Sequence, residues 1–286
     1  MSETPRVSFE EFMKQADDVV NSHEVVTSNP YTAWFEKGDL SVEDVRQFAA
    51  QFSVFSNQFL VAQLKKMINS SSLESMRESK EILANEIGVV FNSRKNKEVE
   101  ALTDEQKDRV GDPSLVSTEG SIEGGTFHFG AGHFEWLLKF GAPLGLTFDD
   151  MGRRKHGWPS TLFFCDELDR IYGSGDGMAG LGASYAVEHW ANAGFWKQLV
   201  RGLEIFKKEK CPKLPLAFFT WHDRLEENHA AHTEDELRQV FNRPDFDGKA
   251  FLDAAAEMLN GVKAFWWGLD QERIVRHHRE REKASA

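Results

Sequence analysis

The sequence predicts an all-α bundle of about seven to eight helices. Three observations carry that expectation. Apolar residues recur at helical spacing almost throughout, with no convincing alternating strand. Helix-opening signals precede several of these runs, such as Ser8 with Glu11 and Ser41 with Asp44. The connections are short except for a polar stretch at 92–125. With 286 residues, the chain reads as one domain over 1–286 with an insertion at about 92–125.

In chain order, Ser8 with Glu11 opens a first helix that runs to about Val26. The segment SNPYTAWFEKGD reads as a connection. Ser41 with Asp44 opens a long second helix, apolar on one side. A third spans Ser72 to Phe91 and holds Glu86 among apolar neighbours. Within the insertion a short helix is expected around 97–109. A fourth covers 126–142 and a fifth 159–172. GSGDGMAGLG reads as a glycine-rich hinge rather than a phosphate loop, because it follows a helix and not a strand. A sixth helix then reaches Lys207, CPKLP breaks the chain, a seventh carries FFTWHDRLEENHAAHTEDEL, and an eighth runs from Asp247 to His278.

Composition narrows the function class. The net charge of −12, from 34 basic and 46 acidic side chains, argues against nucleic acid or an anionic membrane surface as partner. No apolar run is long enough to span a bilayer, and MSETPRVSFEEFMKQ has no apolar signal-peptide core. Cys165 and Cys211 have no metal-like spacing, so a reduced, cytoplasmic enzyme is expected. The 23 Phe and 8 Trp against 3 Tyr suggest a dry, bulky interior.

The chemistry concentrates on the seventh helix. His222, Glu226 and His229 are spaced by four and then three residues, which returns each side chain to one helix face. Glu226 and His229 form the Glu-x-x-His pair that di-iron carboxylate bundles use. His232 offers a rival pair with His229. One helix cannot complete such a site. Glu86, His133 and Glu188 each lie in an otherwise apolar helical run, where a carboxylate is costly unless paired or metal-bound. Taken singly, Glu86 suits a salt bridge, His133 a satisfied core histidine, and Glu188 competes with His189. Together they suit two iron or manganese ions better than a tetrahedral zinc site.

The order of these residues resembles the haem-oxygenase-like di-iron oxidase and oxygenase superfamily. Glu226 stands where that family commonly has Asp. The resemblance covers about 40–240 and implies a bundle that binds no haem. Glu123, ten residues before His133, together with the 92–125 insertion, is similar to the N-oxygenating branch, typified by the streptozotocin-pathway N-hydroxylase. The resemblance therefore implies Glu123 as a seventh ligand and catalytic residue, with Glu119 its nearest competitor and a solvated loop acid the plainer reading. It implies two Fe ions as cofactor, O2 as co-substrate, an external electron donor, and a small amine or guanidine hydroxylated on nitrogen. The alternative within the superfamily is oxidative C–C cleavage of a carboxylic acid or amino acid, which a long apolar tunnel would favour. Phe127, Phe129, Trp136, Trp190 and Phe195 are expected in the cavity wall or the core, and Asp223 and Glu227 beside the ligand face.

Two other activities share the bundle. A haem oxygenase would need an axial histidine near the N-terminus, and His23 is suitably placed, although it reads better as a cap ending the first helix. A thiaminase-like hydrolase would need a cysteine nucleophile, and Cys165 in TLFFCDELDR reads as buried and inert. The sequence leaves the oligomeric state open, a homodimer included.

Overall fold

The computed structural model describes residues 7–70, 72–90, 119–122 and 125–285. Ser8 caps α1 (Phe9–Asn21) in a capping box with Glu11. The helix buries Phe12, Ala16 and Val20, spaced to form one stripe. It stops at Asn21, and a separate turn, α2 (Glu24–Thr27), begins after His23. The expected connection contains a further helix, α3 (Pro30–Phe35), capped by Asn29 and opened by Pro30 at its first turn. Then follow α4 (Val42–Ile68) and α5 (Leu73–Glu86).

The bundle continues with α6 (His133–Gly141), α7 (Pro159–Glu167) and a π-helical turn, Leu168–Tyr172, that extends α7. Next come α8 (Gly177–Asn192), α9 (Phe195–Glu209), α10 (Ala217–Phe241) and α11 (Gly248–Ser285). The expected sixth helix is two, because Gly194 takes a φ of 103° and breaks it. The expected hinge is mostly helix: α8 starts at Gly177. Its glycine serves packing, since a Cβ at Gly182 would stand 2.1 Å from the Phe251 carbonyl oxygen of α11. Almost every residue of α8 from Gly180 to Ala191 is buried, which makes it the central helix.

The fourth helix was expected over 126–142, but it begins at His133. Gly125–Phe129 is instead a strand, β3, between β1 (Val89–Val90) and β2 (Glu119–Ile122) in a small antiparallel sheet of order β1-β3-β2. Val89 pairs with Phe129, and Ile122 with Gly125. Thr126 and the alternating phenylalanines favour a strand, while Gly130 and Gly132 delay the helix. The third helix likewise ends at Glu86, because the chain turns at Gly88 (φ 73°) into β1. The helix expected at 97–109 lies outside the described residues.

The interior is aromatic, as the composition suggests. Phe35, Phe48, Phe52, Phe219, Phe265 and Trp266 are fully buried and belong to one core that extends from α1 to α11. Each such ring contributes on the order of 1.5–3 kcal/mol through burial. Among the described residues no helix is long and apolar enough to cross a membrane.

Asp44 fastens the two longest helices together. Its carboxylate receives the Ser41 N–H at 2.8 Å and the Ser41 hydroxyl at 2.7 Å, which closes the capping box of α4. It also meets Arg276 and the His277 ring Nε2 (2.8 Å) of α11. Burial acts to raise the pKa of Asp44, but the bonds from Ser41 and His277 and the charge of Arg276 outweigh it and hold the pKa low. The stability this carboxylate supplies is therefore full above about pH 4, the ordinary aspartate range, and is lost as pH falls through its lower folded value. Asp44→Asn should cost about 3 kcal/mol at neutral pH and flatten acid unfolding below about pH 4. Chemical denaturation at several pH values measures both, and an unchanged acid limb would remove Asp44 from this role.

Candidate metal centre

Two glycines build the centre's first contact. Gly88 ends α5 in the left-handed region, and its carbonyl accepts from the Gly130 N–H at 2.7 Å. A Cβ at Gly88 would stand 2.4 Å from the Gly130 carbonyl oxygen. On the opposing side, Gly132 precedes α6, and a Cβ there would stand 2.8 Å from the Glu86 carbonyl oxygen. No other residue lets the end of α5 and the start of α6 come so near. The approach sets Glu86, last on α5, against His133, first on α6, with Oε2 to Nδ1 at 2.7 Å. Both side chains are largely buried, 12 % and 6 % exposed.

His133 is enclosed by rings. Trp136, Phe218, Trp221 and His222 surround it, and the two imidazole centroids are 4.6 Å apart. His222 comes from α10. Its Nδ1 lies 2.6 Å from the Phe218 carbonyl oxygen, an atom that can only accept, so Nδ1 carries the hydrogen and Nε2 is the lone-pair nitrogen of the neutral ring. Trp196 stacks on the other face at 4.6 Å and fixes the ring plane. Glu188, buried in α8, completes the group. Glu86, His133, Glu188 and His222 line one cavity of about 90 Å³, walled by Phe52, Phe55, Phe59, Trp190, Phe195 and Phe218.

Four of the seven sequence-predicted residues therefore meet around one space. Glu226 and His229 lie on α10 with His222, but their side chains lie outside the described residues, as does Glu123 altogether. Glu119 pairs through its backbone with His128. Among the described residues no three His, Cys, Asp or Glu side chains stand close enough to enclose an ion. Of the expected wall residues, Trp190 and Phe195 line the cavity, and Trp136 packs on His133 and Trp221. The side chains of Phe127, Phe129 and Glu227 lie outside the described residues, and Asp223 is half-buried.

The residues fit a metal on one observation in particular. The Nε2 of His133 is buried and, among the described residues, has no hydrogen-bond partner. Leaving such an atom unmet costs about 1–3 kcal/mol, and a metal ion would meet it. A carboxylate that orients the far nitrogen of a ligating imidazole is a recurrent supporting arrangement. Glu86 has two oxygens, so holding His133 and binding an ion are compatible.

Sequence reasoning missed a polar network behind the cavity. Lys66 of α4 pairs with Glu236 of α10 at 3.2 Å and donates to the Ser184 hydroxyl at 2.9 Å. The Ser75 hydroxyl donates to Glu236 at 2.6 Å. Tyr172, edge-on to the cavity residue Phe59, donates to Gln63 at 2.6 Å. Burial, with the charges of Glu188, Glu236 and Glu86, raises the Tyr172 pKa well above normal, so it stays a neutral donor. The wall itself had a legible signal, since Phe52, Phe55 and Phe59 recur at helical spacing on α4.

The rival chemistries find little support in geometry. Cys165 is buried, and desolvation pushes its thiol up to about 12, so it is no nucleophile near neutral pH. His23 does not end α1. It opens α2, accepting the Val25 N–H at Nδ1 (3.2 Å) while Nε2 meets Asn260 at 3.3 Å, so both ring nitrogens are engaged.

Two outcomes test the centre. Gly88→Ala should separate Glu86 from His133 and lower stability by roughly 1–3 kcal/mol, with weaker iron binding in equilibrium dialysis. Unchanged affinity would show that the glycine contact does not shape the centre. Anaerobic reconstitution should load about two Fe(II) per chain, and His222→Ala or His229→Ala should reduce that to one or none by metal analysis. Full occupancy in both variants would remove these histidines from the ligand set.

No family model matches the sequence, and no curated protein matches it. Solved structures do. A domain of unknown function with a haem oxygenase-like fold from Shewanella denitrificans aligns over 96% of this chain and 96% of its own, at 13% identity and a TM-score of 0.60. A TenA homologue from Pseudomonas syringae pv. tomato aligns over 95% and 98%, at 11% identity and 0.63. A CADD-like protein of unknown function from Nostoc punctiforme aligns over 92% and 97%, at 17% identity and 0.58. Identities this low speak to architecture alone: the chain has the haem-oxygenase-like fold.

Proposed function

We propose that the chain is a non-haem di-iron N-oxygenase acting on a small amine or guanidine. The observation that carries the reading is the Glu86–His133 pair, whose far nitrogen has no partner among the described residues, in ring contact with His222 beside a cavity that Glu188 also lines. Glu86, His133, Glu188 and His222 would hold the ions together with Glu226 and His229 of α10, and Glu123 would add a further carboxylate. Iron in such a site supplies the binding and reduction of O2. The overall balance is R–NH2 + O2 + two electrons + two protons to R–NHOH + H2O, with the electrons from an external reductant.

The chain's own part is positioning and exclusion. The Phe218 carbonyl and the Trp196 face hold the His222 ring in one tautomer and one plane. The Glu86 carboxylate accepts at Nδ1 of His133, which would leave Nε2 as the nitrogen turned to an ion. The aromatic wall makes the surroundings of the reacting atoms largely apolar. The cavity is small, about 90 Å³, which suits a small substrate. The preference for nitrogen rests on the resemblance at Glu123 and the 92–125 insertion. The attacking nitrogen must be unprotonated, so turnover should rise with pH toward the substrate's amine pKa.

The test is ¹⁸O2 incubation of the reduced, iron-loaded protein with amine and guanidine libraries, read by mass spectrometry. Label on nitrogen that requires both O2 and reductant is expected, and Glu123→Ala should retain iron yet lose product. Label on carbon only, or CO2 released from a carboxylic acid, would assign the carbon-oxidising chemistry instead.

A further inference from the structure

The interior uses two kinds of large ring, and they differ chemically. Phenylalanine, present 23 times, buries apolar surface with no polar atom. Indole carries an N–H that usually finds a partner when buried. Here the Nε1 atoms of Trp190, Trp196, Trp221 and Trp266 are buried without a hydrogen-bond partner among the described residues. Each such donor costs about 1–3 kcal/mol, so packing alone favours phenylalanine at these positions.

The placement of these indoles is not scattered. Trp196 of α9 stacks on His222, beside the inner cavity, at 4.6 Å. Phe195 packs on Trp196 at 4.5 Å, on Trp190 of α8 at 4.4 Å and on Trp266 of α11 at 5.5 Å. Trp190 and Trp266 also meet directly, at 6.4 Å. Tyr31 of α3 lies 5.7 Å from Trp266, and Trp34 of α3 lies 5.4 Å from Tyr31. Trp34 is half-buried, so rings in contact run from the inner cavity to the surface. Arg273 lies over Trp34 at 4.4 Å, its charge offset by Asp270 at 2.6 Å. The remaining indole of the four, Trp221, touches both His133 and His222, at 5.0 and 4.8 Å.

We propose that Trp196, Trp190, Trp266 and Trp34 form an electron-transfer chain between the inner cavity and the surface. Indole gives up an electron without first losing a proton. A phenol does so only with proton loss, and a phenyl ring hardly at all. Burial and the nearby Asp44 raise the pKa of Tyr31, so its ring bridges two indoles without itself being oxidised. A single ring, Phe195 or Tyr31, fills each gap between indoles that do not touch, a span that electrons cross by tunnelling.

Only a strong oxidant removes an electron from indole. The chain therefore serves an oxidant formed inside, not the entry of ordinary reducing equivalents. In that use it rests on the proposed function. An oxidant made from O2 with no substrate present takes one electron from Trp196. Electrons then shift inward until Trp34 is the oxidised ring, and a one-electron donor at the surface, such as ascorbate or a thiol, restores it. The oxidant is reduced by one electron and the donor oxidised by one. The donor's proton balances the one the oxidant takes up, and the indoles end unchanged.

The full-length, iron-free chain tests conduction. A ruthenium polypyridyl photo-oxidant is attached through Ala33→Cys, an exposed position beside Trp34, in a Cys211→Ser background. Aminotyrosine in place of Trp196 serves as an easily oxidised trap with its own radical spectrum. A flash should yield the trap radical, read by transient absorption and electron paramagnetic resonance. Trp266→Phe should lose most of that signal, and so should Trp34→Phe, at the half-buried end where folding is least at risk. Trp158→Phe, outside the chain, should keep it. No trap radical in the parent, or full yield in both Trp266→Phe and Trp34→Phe, would overturn the proposal. Neither iron nor substrate enters this result, so it stands if the N-oxygenase reading fails. In iron-loaded protein given O2 and reductant without substrate, peptide mass mapping should find more oxygen on Trp196 and His222 in Trp266→Phe than in the native chain. Equal oxidation in the two would overturn the protective use. No oxidation in either would overturn that use together with the N-oxygenase reading.

Discussion

The contact between Glu86 and His133 depends on two glycines having no side chain, and the candidate centre depends on that contact. Gly88 and Gly132 allow the end of α5 and the start of α6 to touch through their backbones. A methyl group at either position would meet a carbonyl oxygen at 2.4–2.8 Å, far inside ordinary contact. With the helices that close, an acid and an imidazole from opposite sides of the long insertion fall within hydrogen-bond reach. The three-stranded sheet adds a second fastening at the same place, because β3 runs into α6 and pairs with β1, which follows α5. The insertion is thus tied down where it leaves and rejoins the bundle.

Around that contact the bundle supplies two environments. On one side is a small, ring-walled space with buried carboxylate and imidazole donors. Behind it lies a hydrogen-bonded set from α4, α8 and α10, centred on Lys66 and Glu236. Breaking one half of such a buried pair typically costs about 3–5 kcal/mol, so the network holds these helices in fixed register. That rigidity matters because metal donors must sit within fractions of an ångström of their working positions. Stacking of Trp196 on His222 serves the same end at the level of one side chain.

Much of the helical architecture was legible because it is written locally. The capping boxes at Ser8 and Ser41 open α1 and α4 as their spacing requires. Glu86, His133 and Glu188 stood out as polar residues in apolar runs and His222 by its spacing on one helix face, and the fold brings the four to one cavity. What escaped was non-local or overridden. Lys66 and Glu236 are 170 positions apart, and nothing in either segment names the other. Gly125–Phe129 has a helix-like neighbour in α6, yet pairing with β1 and β2 makes it a strand. Gly182 belongs to a segment that reads as a hinge, whereas its role is set by the Phe251 carbonyl of a distant helix.

Metal bound in the ring-walled cavity would be directly observable. Anomalous diffraction at the iron absorption edge, from crystals loaded anaerobically with Fe(II), addresses it without reference to substrate or turnover. A pair of iron peaks is expected in the space bounded by Glu86, His133, Glu188 and His222, one of them within bonding distance of a His133 ring nitrogen. An empty cavity in iron-loaded crystals, or iron found only at surface carboxylates, would contradict it.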